Sequence, residues 1–380
     1  IVPHSSFSME EVEDHSIHLV VTSPPYPMIE MWDEQFCRQD PQIGEALQQG
    51  DGSRAFEGMH VLLDRVWKEC FRVLQPGGFL CINIGDATRT IGGEFQLFSN
   101  HTRITEACRS LGFTVLPLIL WRKPTNAPNK FMGSGMLPAG AYVTLEHEYI
   151  LIFRKGEKRV FLENEKRRRR ESAFFWEERN QWFSDQWSLS GVRQEMANGL
   201  ETTEGVRLRS AAFPLDLASR LIYMYSLRGD WVLDPFLGTG TTLVASAITG
   251  RSGIGYELEP ALVQEARRNI LRCVPVGERI VEERIENHLA FVRDRITEKK
   301  EVAYWNEALG VPVITAQEKD LMLEKISSID ELSEDSLLLS FQVTMEKLRP
   351  RVPLEPEDGR IDQNNRIEGK KDRSTQQLLF

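Results

Sequence analysis

Long apolar runs are missing from this chain of 380 residues. The longest, Leu116 to Trp121 and Tyr149 to Phe153, fall far short of the roughly 20 residues that a membrane-spanning helix needs. Cysteine is scarce. The five residues Cys37, Cys70, Cys81, Cys108 and Cys273 stand far apart with no CxxC pair, which argues against a disulfide framework and against a structural zinc site. No basic stretch leading into an apolar one opens the chain, so secretion is not expected. Positive charge is outnumbered, with 46 Lys plus Arg against 56 Asp plus Glu and a net charge of −10. A general cationic coat is therefore absent, and any nucleic-acid surface must be a local patch. The expectation is a cytoplasmic protein with reduced thiols, no metal and no membrane contact.

What is present is a globular composition, 41% hydrophobic and 27% charged, with length for about two domains. Ile17 to Thr22 is an apolar, β-branched run stopped by Ser23-Pro24-Pro25, which reads as a buried strand. Phe56 to Leu74 has helical apolar spacing and ends at Gln75-Pro76-Gly77-Gly78. Phe79 to Ile84, Leu116 to Trp121 and Tyr149 to Phe153 read as further strands, and Thr102 to Leu111 as a helix. The alternation resumes after Phe213-Pro214 with helix Leu215–Ser226, strand Trp231–Leu233, helix Thr242–Thr249, strand Gly253–Tyr256 and helix Glu259–Leu271. Such alternation indicates an α/β sheet.

Between Arg154 and about Gly205 the pattern breaks into a cationic run, Lys166-Arg167-Arg168-Arg169-Arg170, beside Phe174, Phe175, Trp176, Trp182, Phe183 and Trp187. Glu278 to Lys300 and Gln317 to Arg349 read as helices with charged faces. Residues 350–380 are polar and read as a disordered tail. Residues 276–380 hold 22 acidic and 16 basic side chains, so a surface for nucleic acid is to be sought earlier in the chain.

Two short motifs carry the chemistry. Asp234-Pro235-Phe236-Leu237-Gly238-Thr239-Gly240-Thr241-Thr242 lies between a strand and a helix, where glycines allow close backbone approach and the helix start offers free N–H groups. Glu257 ends the next strand 23 residues on, where a Rossmann-like unit reads a ribose. The loop lacks GK[ST], which excludes a P-loop, and lacks the third glycine of a dinucleotide fingerprint. By itself it reads equally as a packing turn. The second motif, Ser23-Pro24-Pro25-Tyr26, reads either as a stiff proline turn or as a clamp for a planar amine. In the clamp, Ser23 and the Pro24 carbonyl point at one NH2 group and Tyr26 offers a face for a flipped base.

Together, and in this order, the two motifs resemble the β-class of DNA amino-methyltransferases, over about Val12 to Leu271. The resemblance implies a circularly permuted, Rossmann-like α/β sheet that uses S-adenosyl-L-methionine, with an inserted target-recognition region and a C-terminal helical extension. It divides the chain into a catalytic half (1–153), a target-recognition region (154–205), a cofactor-binding half (206–275), the extension (276–349) and the tail (350–380). By the same resemblance Asp234 to Thr241 wraps the methionine end of the cofactor, Glu257 binds its ribose hydroxyls, and Phe213-Pro214 packs against its amino-acid part. Where the family often has Gly-Asp before the catalytic strand, this chain has His4-Ser5-Ser6. The serine form of the catalytic motif usually goes with N4 of cytosine and the aspartate form with N6 of adenine.

The implied activity is site-specific methylation of cytosine N4 in double-stranded DNA, in partnership with a restriction endonuclease for the same site. Methylation of adenine N6 and a catalytically silent DNA-binding relative are the alternatives. Attack at cytosine C5 needs a cysteine nucleophile, which the family that does so places after a proline, and none of the five follows one. Asn83 and Asp86, in Asn83-Ile84-Gly85-Asp86, read as a turn or as contacts to the flipped base. Glu146-His147-Glu148 lacks metal spacing and reads as structural or DNA-contacting. Lys166 to Arg170 reads as a DNA phosphate surface or a solvated helix face.

Overall fold

A computed structural model describes residues 1–123, 132–189, 213–333 and 336–343. The central sheet contains β1 (Ile17–Thr22), β2 (Leu74–Ile84), β3 (Phe113–Arg122), β4 (His147–Lys155), β5 (Gln186–Ser188), β6 (Trp231–Asp234) and β7 (Ser252–Gly255). Their order in space is β7-β6-β1-β2-β4-β3-β5, and β4 alone runs against the others. Around the sheet lie α1 (Gly52–Val73), α2 (Asn100–Ser110), α3 (Glu163–Glu171), α4 (Trp176–Trp182), α5 (Leu215–Tyr225), α6 (Thr241–Ile248), α7 (Pro260–Leu271) and α8 (Val274–Thr297).

Strand β1 takes a central place because both of its faces are apolar, as a strand covered on two sides requires. Val20 belongs to the core layer of Met59, Val66 and Trp67 from α1, whereas Leu19 and Val21 belong to that of Leu217 and Leu221 from α5 and Val244 from α6. Each such fully buried side chain contributes about 1.5–3 kcal/mol. Although β1 and β6 are neighbours, with Leu19 opposite Val232, the chain continues from β1 toward β2 and from β6 toward β7. This reversal opens a crevice at the carboxyl ends of the strands. Both motif loops start there, Ser23 after β1 and Pro235 after β6. The catalytic strand precedes the cofactor strand, the permuted order that the resemblance implies.

The structure corrects the reading of the C-terminal third. Helix α8 covers the first expected helix, but residues 324–343 are not helical where described. Glu324–Ser333 and Ser336–Val343 form an antiparallel hairpin, and Tyr304–Asn306 pairs with Val311–Val313 in a smaller one. Ile326, Ile329 and Leu332 recur every third residue, which mimics a helix. The pairing shifts register between Ile326 and Ser328 and again between Glu331 and Ser333. Two bulges of this kind slip the period-two alternation of a strand into an apparent period of three. The tail at 350–380 lies outside the described residues.

The described part of 154–205, the region expected to read DNA, packs with the rest of the sheet in one unit. It is not a separate body: β5 adds an edge to the sheet, and α8 clamps α4. Arg284 donates to both carboxylate oxygens of Glu178 at 2.6 and 2.8 Å. His288 meets Glu177 Oε1 and the Pro312 carbonyl, each at 2.8 Å. Glu177, His288 and Glu318 stand close enough to hold a metal, yet both ring nitrogens of His288 already face protein acceptors, so the cluster is a packing joint. Residues 190–205 lie outside the described residues. Among the described residues no helix is long and apolar enough to cross a membrane.

Candidate active site

A cavity of about 670 Å³ occupies the crevice at the ends of β1 and β6, within the range of small-molecule sites. Ser23 and Pro25 line one wall. Asp234, Pro235, Phe236, Gly238, Thr239 and Thr241 line the cavity as well, together with Glu257 and Phe213. Pro24, Tyr26, Pro214 and Gly240 are not among the lining residues. Pro214 caps α5. At Gly240 (φ +87°) an added Cβ would lie 2.9 Å from Ala266 Cβ, so this glycine serves the packing of α6 on α7. At Gly238 (φ +55°) an added Cβ would meet nothing within 4 Å. One glycine of the motif thus faces the cavity and the other a helix.

Glu257 and Asp234 hold the cradle in shape. The Glu257 carboxylate accepts from the backbone N–H of Gly238, Leu258 and Glu259 at 2.8, 2.8 and 2.9 Å. A carboxylate has about four acceptor positions, so room for a hydroxyl donor remains. Asp234 is buried and accepts from Thr22 Oγ1 and Thr242 Oγ1, each at 2.6 Å, and from Phe236 N at 3.0 Å. It ties the end of β1 to the glycine loop, a positioning role that the loop motif alone does not reveal. The open face of Gly238, the spare acceptor position of Glu257 and the cavity size fit an adenosyl-amino-acid cofactor.

Burial pushes the Asp234 carboxyl up to about 6 from 3.8. The folded chain then holds this proton more tightly than the unfolded chain, so stability falls as pH rises between these two values. Asp234→Asn is expected to flatten the fall. Denaturant unfolding of both proteins at several pH values between 4 and 7 checks it, and parallel curves would contradict it.

The first strand has an unforeseen companion. His4, Ser5, Ser6 and Phe7 line the cavity, held there because Val2 N donates to Gly255 O at 2.8 Å and Glu257 N to Val2 O at 3.1 Å. A short polar coil gives no periodic signal, and only the departure from the family pattern at His4-Ser5-Ser6 marks it in the sequence.

The catalytic corner is drawn inward more than its sequence suggests. Pro24 and Pro25 are buried. The Tyr26 ring is only 6% exposed, and an added Cβ at Gly85 would lie 3.0 Å from it. Tyr26 is not a free stacking face in this structure. Its hydroxyl is instead bonded to Ser23, Asn83 and Glu148. Asn83, 2% exposed, is thus part of the support behind Ser23. Asp86 holds the start of α2, accepting from His101 N at 3.1 Å and facing His101 Nδ1 at 2.8 Å. The turn reading describes it.

The cationic run is likewise not brought to the site. Lys166 pairs with Glu163, Arg167 with Glu171, Arg168 with Glu165 and Asp230, and Arg170 with Asp320. Arg169 lies 4.4 Å over the Phe161 ring. Asp230 precedes β6, whereas the cavity lies after its end, about 13 Å away at the usual strand rise. Replacing Arg167 to Arg170 by Ala is expected to lower the melting temperature and leave the salt dependence of DNA binding unchanged. A flattened salt slope would restore the DNA-surface reading.

A mostly parallel sheet with one reversed strand, a glycine loop with a following acid at its switch point, and a Ser-Pro-Pro-Tyr corner on the same cavity define a methyltransferase using S-adenosyl-L-methionine. The family model of the N6/N4 DNA methylases matches residues 17–268, and the chain belongs to that family. It is 51% identical to the type II methyltransferase M.MthZI of Methanothermobacter thermautotrophicus, over 84% of this chain and 88% of that protein. It is 49% identical to the type II methyltransferase M.MjaI of Methanocaldococcus jannaschii, over 67% of this chain and 85% of that protein. A solved structure from Thermus thermophilus, described as a DNA modification methylase complexed with S-adenosyl-L-methionine, superposes with a TM-score of 0.53. The two chains are 35% identical, over 70% of this chain and 90% of the other. DNA is therefore the substrate.

Proposed function

We propose that the protein methylates N4 of cytosine in double-stranded DNA and forms the modification half of a restriction–modification pair. The relatives' naming as type II methyltransferases supports the pairing with an endonuclease. The feature that supports the cytosine reading is the serine form of the motif, with Ser23 on the cavity wall and its hydroxyl 3.2 Å from Tyr26 Oη. Its lone pairs are left to accept from a substrate amine.

The cofactor supplies a methyl group activated on a sulfonium. The chain's own residues orient the base. Ser23 Oγ and the Pro24 carbonyl accept the two N–H bonds of the amine, which favours pyramidal nitrogen and frees its lone pair for in-line attack. Positioning and electrostatics of this kind need no covalent enzyme intermediate. Target recognition is assigned to chain rising from the same edge of the sheet. The hairpin Ala87–Ile91/Glu94–Phe98 follows the end of β2, and Phe95 stacks on Tyr142 of the strand pair Met132–Gly133/Ala141–Tyr142 at 4.6 Å between ring centroids. Mass spectrometry of nucleosides from DNA of expressing cells tests the reading. N4-methyldeoxycytidine is expected, and N6-methyldeoxyadenosine in its place would contradict it.

A further inference from the structure

Behind Ser23 lies a chain of polar side chains that the cofactor cradle does not use. Ser23 Oγ donates to Tyr26 Oη at 3.2 Å, and Tyr26 Oη donates to Glu148 Oε2 at 2.8 Å. Asn83 Nδ2 donates to both Tyr26 Oη and Glu148 Oε2, at 2.8 and 2.7 Å. Lys123 pairs with the other oxygen of Glu148. These residues come from the corner after β1, the end of β2, the residue following β3 and the start of β4. The sheet gathers them at the one edge where the cavity opens.

We propose that Glu148 is a positioning residue for methyl transfer. Acting through Tyr26, it directs the Ser23 proton inward and receives the proton that the methylated amine must lose. This rests on the clamp reading of Ser23. An ionised carboxylate only accepts hydrogen bonds, so Tyr26 must direct its single proton to Glu148. Its oxygen is then an acceptor, and the donors within reach are Ser23 and Asn83. Ser23 in turn presents lone pairs to the cavity. Reversed, Ser23 would offer its proton to the amine nitrogen and compete for the lone pair that attacks the methyl. Burial, and then the charge of Glu148, hold the Tyr26 phenol well above its ordinary pKa, so it remains a donor.

The proton balance closes within the chain. Methylation of a neutral amine leaves nitrogen cationic with one proton in excess. That N–H bond breaks as Ser23 Oγ takes the proton, the Ser23 proton passes to Tyr26 Oη, and the Tyr26 proton passes to Glu148. The methylated base ends neutral, both hydroxyls are restored, and Glu148 ends protonated beside Lys123.

A double-mutant cycle on the full chain tests this, reading single-turnover methyl transfer to duplex DNA for wild type, Glu148→Gln, Tyr26→Phe and the double variant. Each single change is expected to slow transfer about 10- to 100-fold, the range for a lost hydrogen bond to a charged group. Cofactor affinity should be retained, and the double variant should be no slower than the slower single. A single variant at the wild-type rate, or a double variant that multiplies both losses, would overturn the proposal. Tyr26→Phe removes one oxygen and keeps the ring against Gly85, so methyl transfer by it at the wild-type rate would overturn the proposal even should Glu148→Gln not fold. The labelled base is identified in the same samples. Label on adenine would end the cytosine reading while leaving the cycle to judge Glu148, and label on cytosine with additive losses would do the reverse.

Discussion

Gly238→Asp is expected to fold like the wild type and to lose S-adenosyl-L-methionine binding by at least about 100-fold, the cost of placing an unpaired charge in a built site. The φ of +55° lies in the left-handed region, which Asp tolerates better than most residues. The added Cβ meets no atom within 4 Å, and Gly238 lines the cavity. There the substitution sets a second carboxylate near Glu257, whose Oε2 accepts from the Gly238 N–H. Gly240→Ala should behave in the opposite sense. Its Cβ would press on Ala266 Cβ at 2.9 Å and on its Cα at 3.0 Å, at a φ of +87°, for a stability loss of about 1–3 kcal/mol. Calorimetric titration with thermal melting of both variants separates the cases. Gly238→Asp binding the cofactor with wild-type affinity would remove the loop from the cofactor site.

The elements legible in the sequence are those whose local pattern and tertiary place agree. Ile17–Thr22 is apolar on both faces because it lies between two layers, and a short apolar run stopped by prolines says as much. Helices α5 and α7 begin beside prolines and carry an apolar stripe, and they stand within a residue of where periodicity puts them. The parts of the cavity wall built by the two motif loops were legible too, since both loops sit at strand ends.

What stayed hidden depends on contacts between distant segments. Glu148 is separated from Tyr26 by 122 residues, and they meet only through the pairing of β2 with β4, which sets Ile84 opposite Tyr149. No spacing rule announces that register. The arginine run shows the converse. Five successive cations suggest phosphate, but the partner of Arg168 is Asp230, 62 residues further on and buried at the wrong end of β6. A sequence displays the charge of a helix face and not the charge of what faces it. The hairpin at 324–343 was concealed by its own bulges.

The claim at the centre of the account is that Ser23 Oγ holds the substrate amine. Ser23→Ala removes one oxygen from a partly buried corner whose shape is set by Pro24, Pro25 and the packed Tyr26 ring, so the fold is expected to survive. The lost hydrogen bond acts on the geometry reached near the transition state, and binding of DNA and cofactor should change little. Removal of one preorganised polar group from such a site costs about 100- to 1,000-fold in rate. The decisive measurement is the single-turnover rate of methyl transfer by Ser23→Ala, with both affinities determined on the same preparation. A fall of that size with affinities unchanged is the predicted result, and methyl transfer at the wild-type rate would contradict the clamp whatever base carries the product.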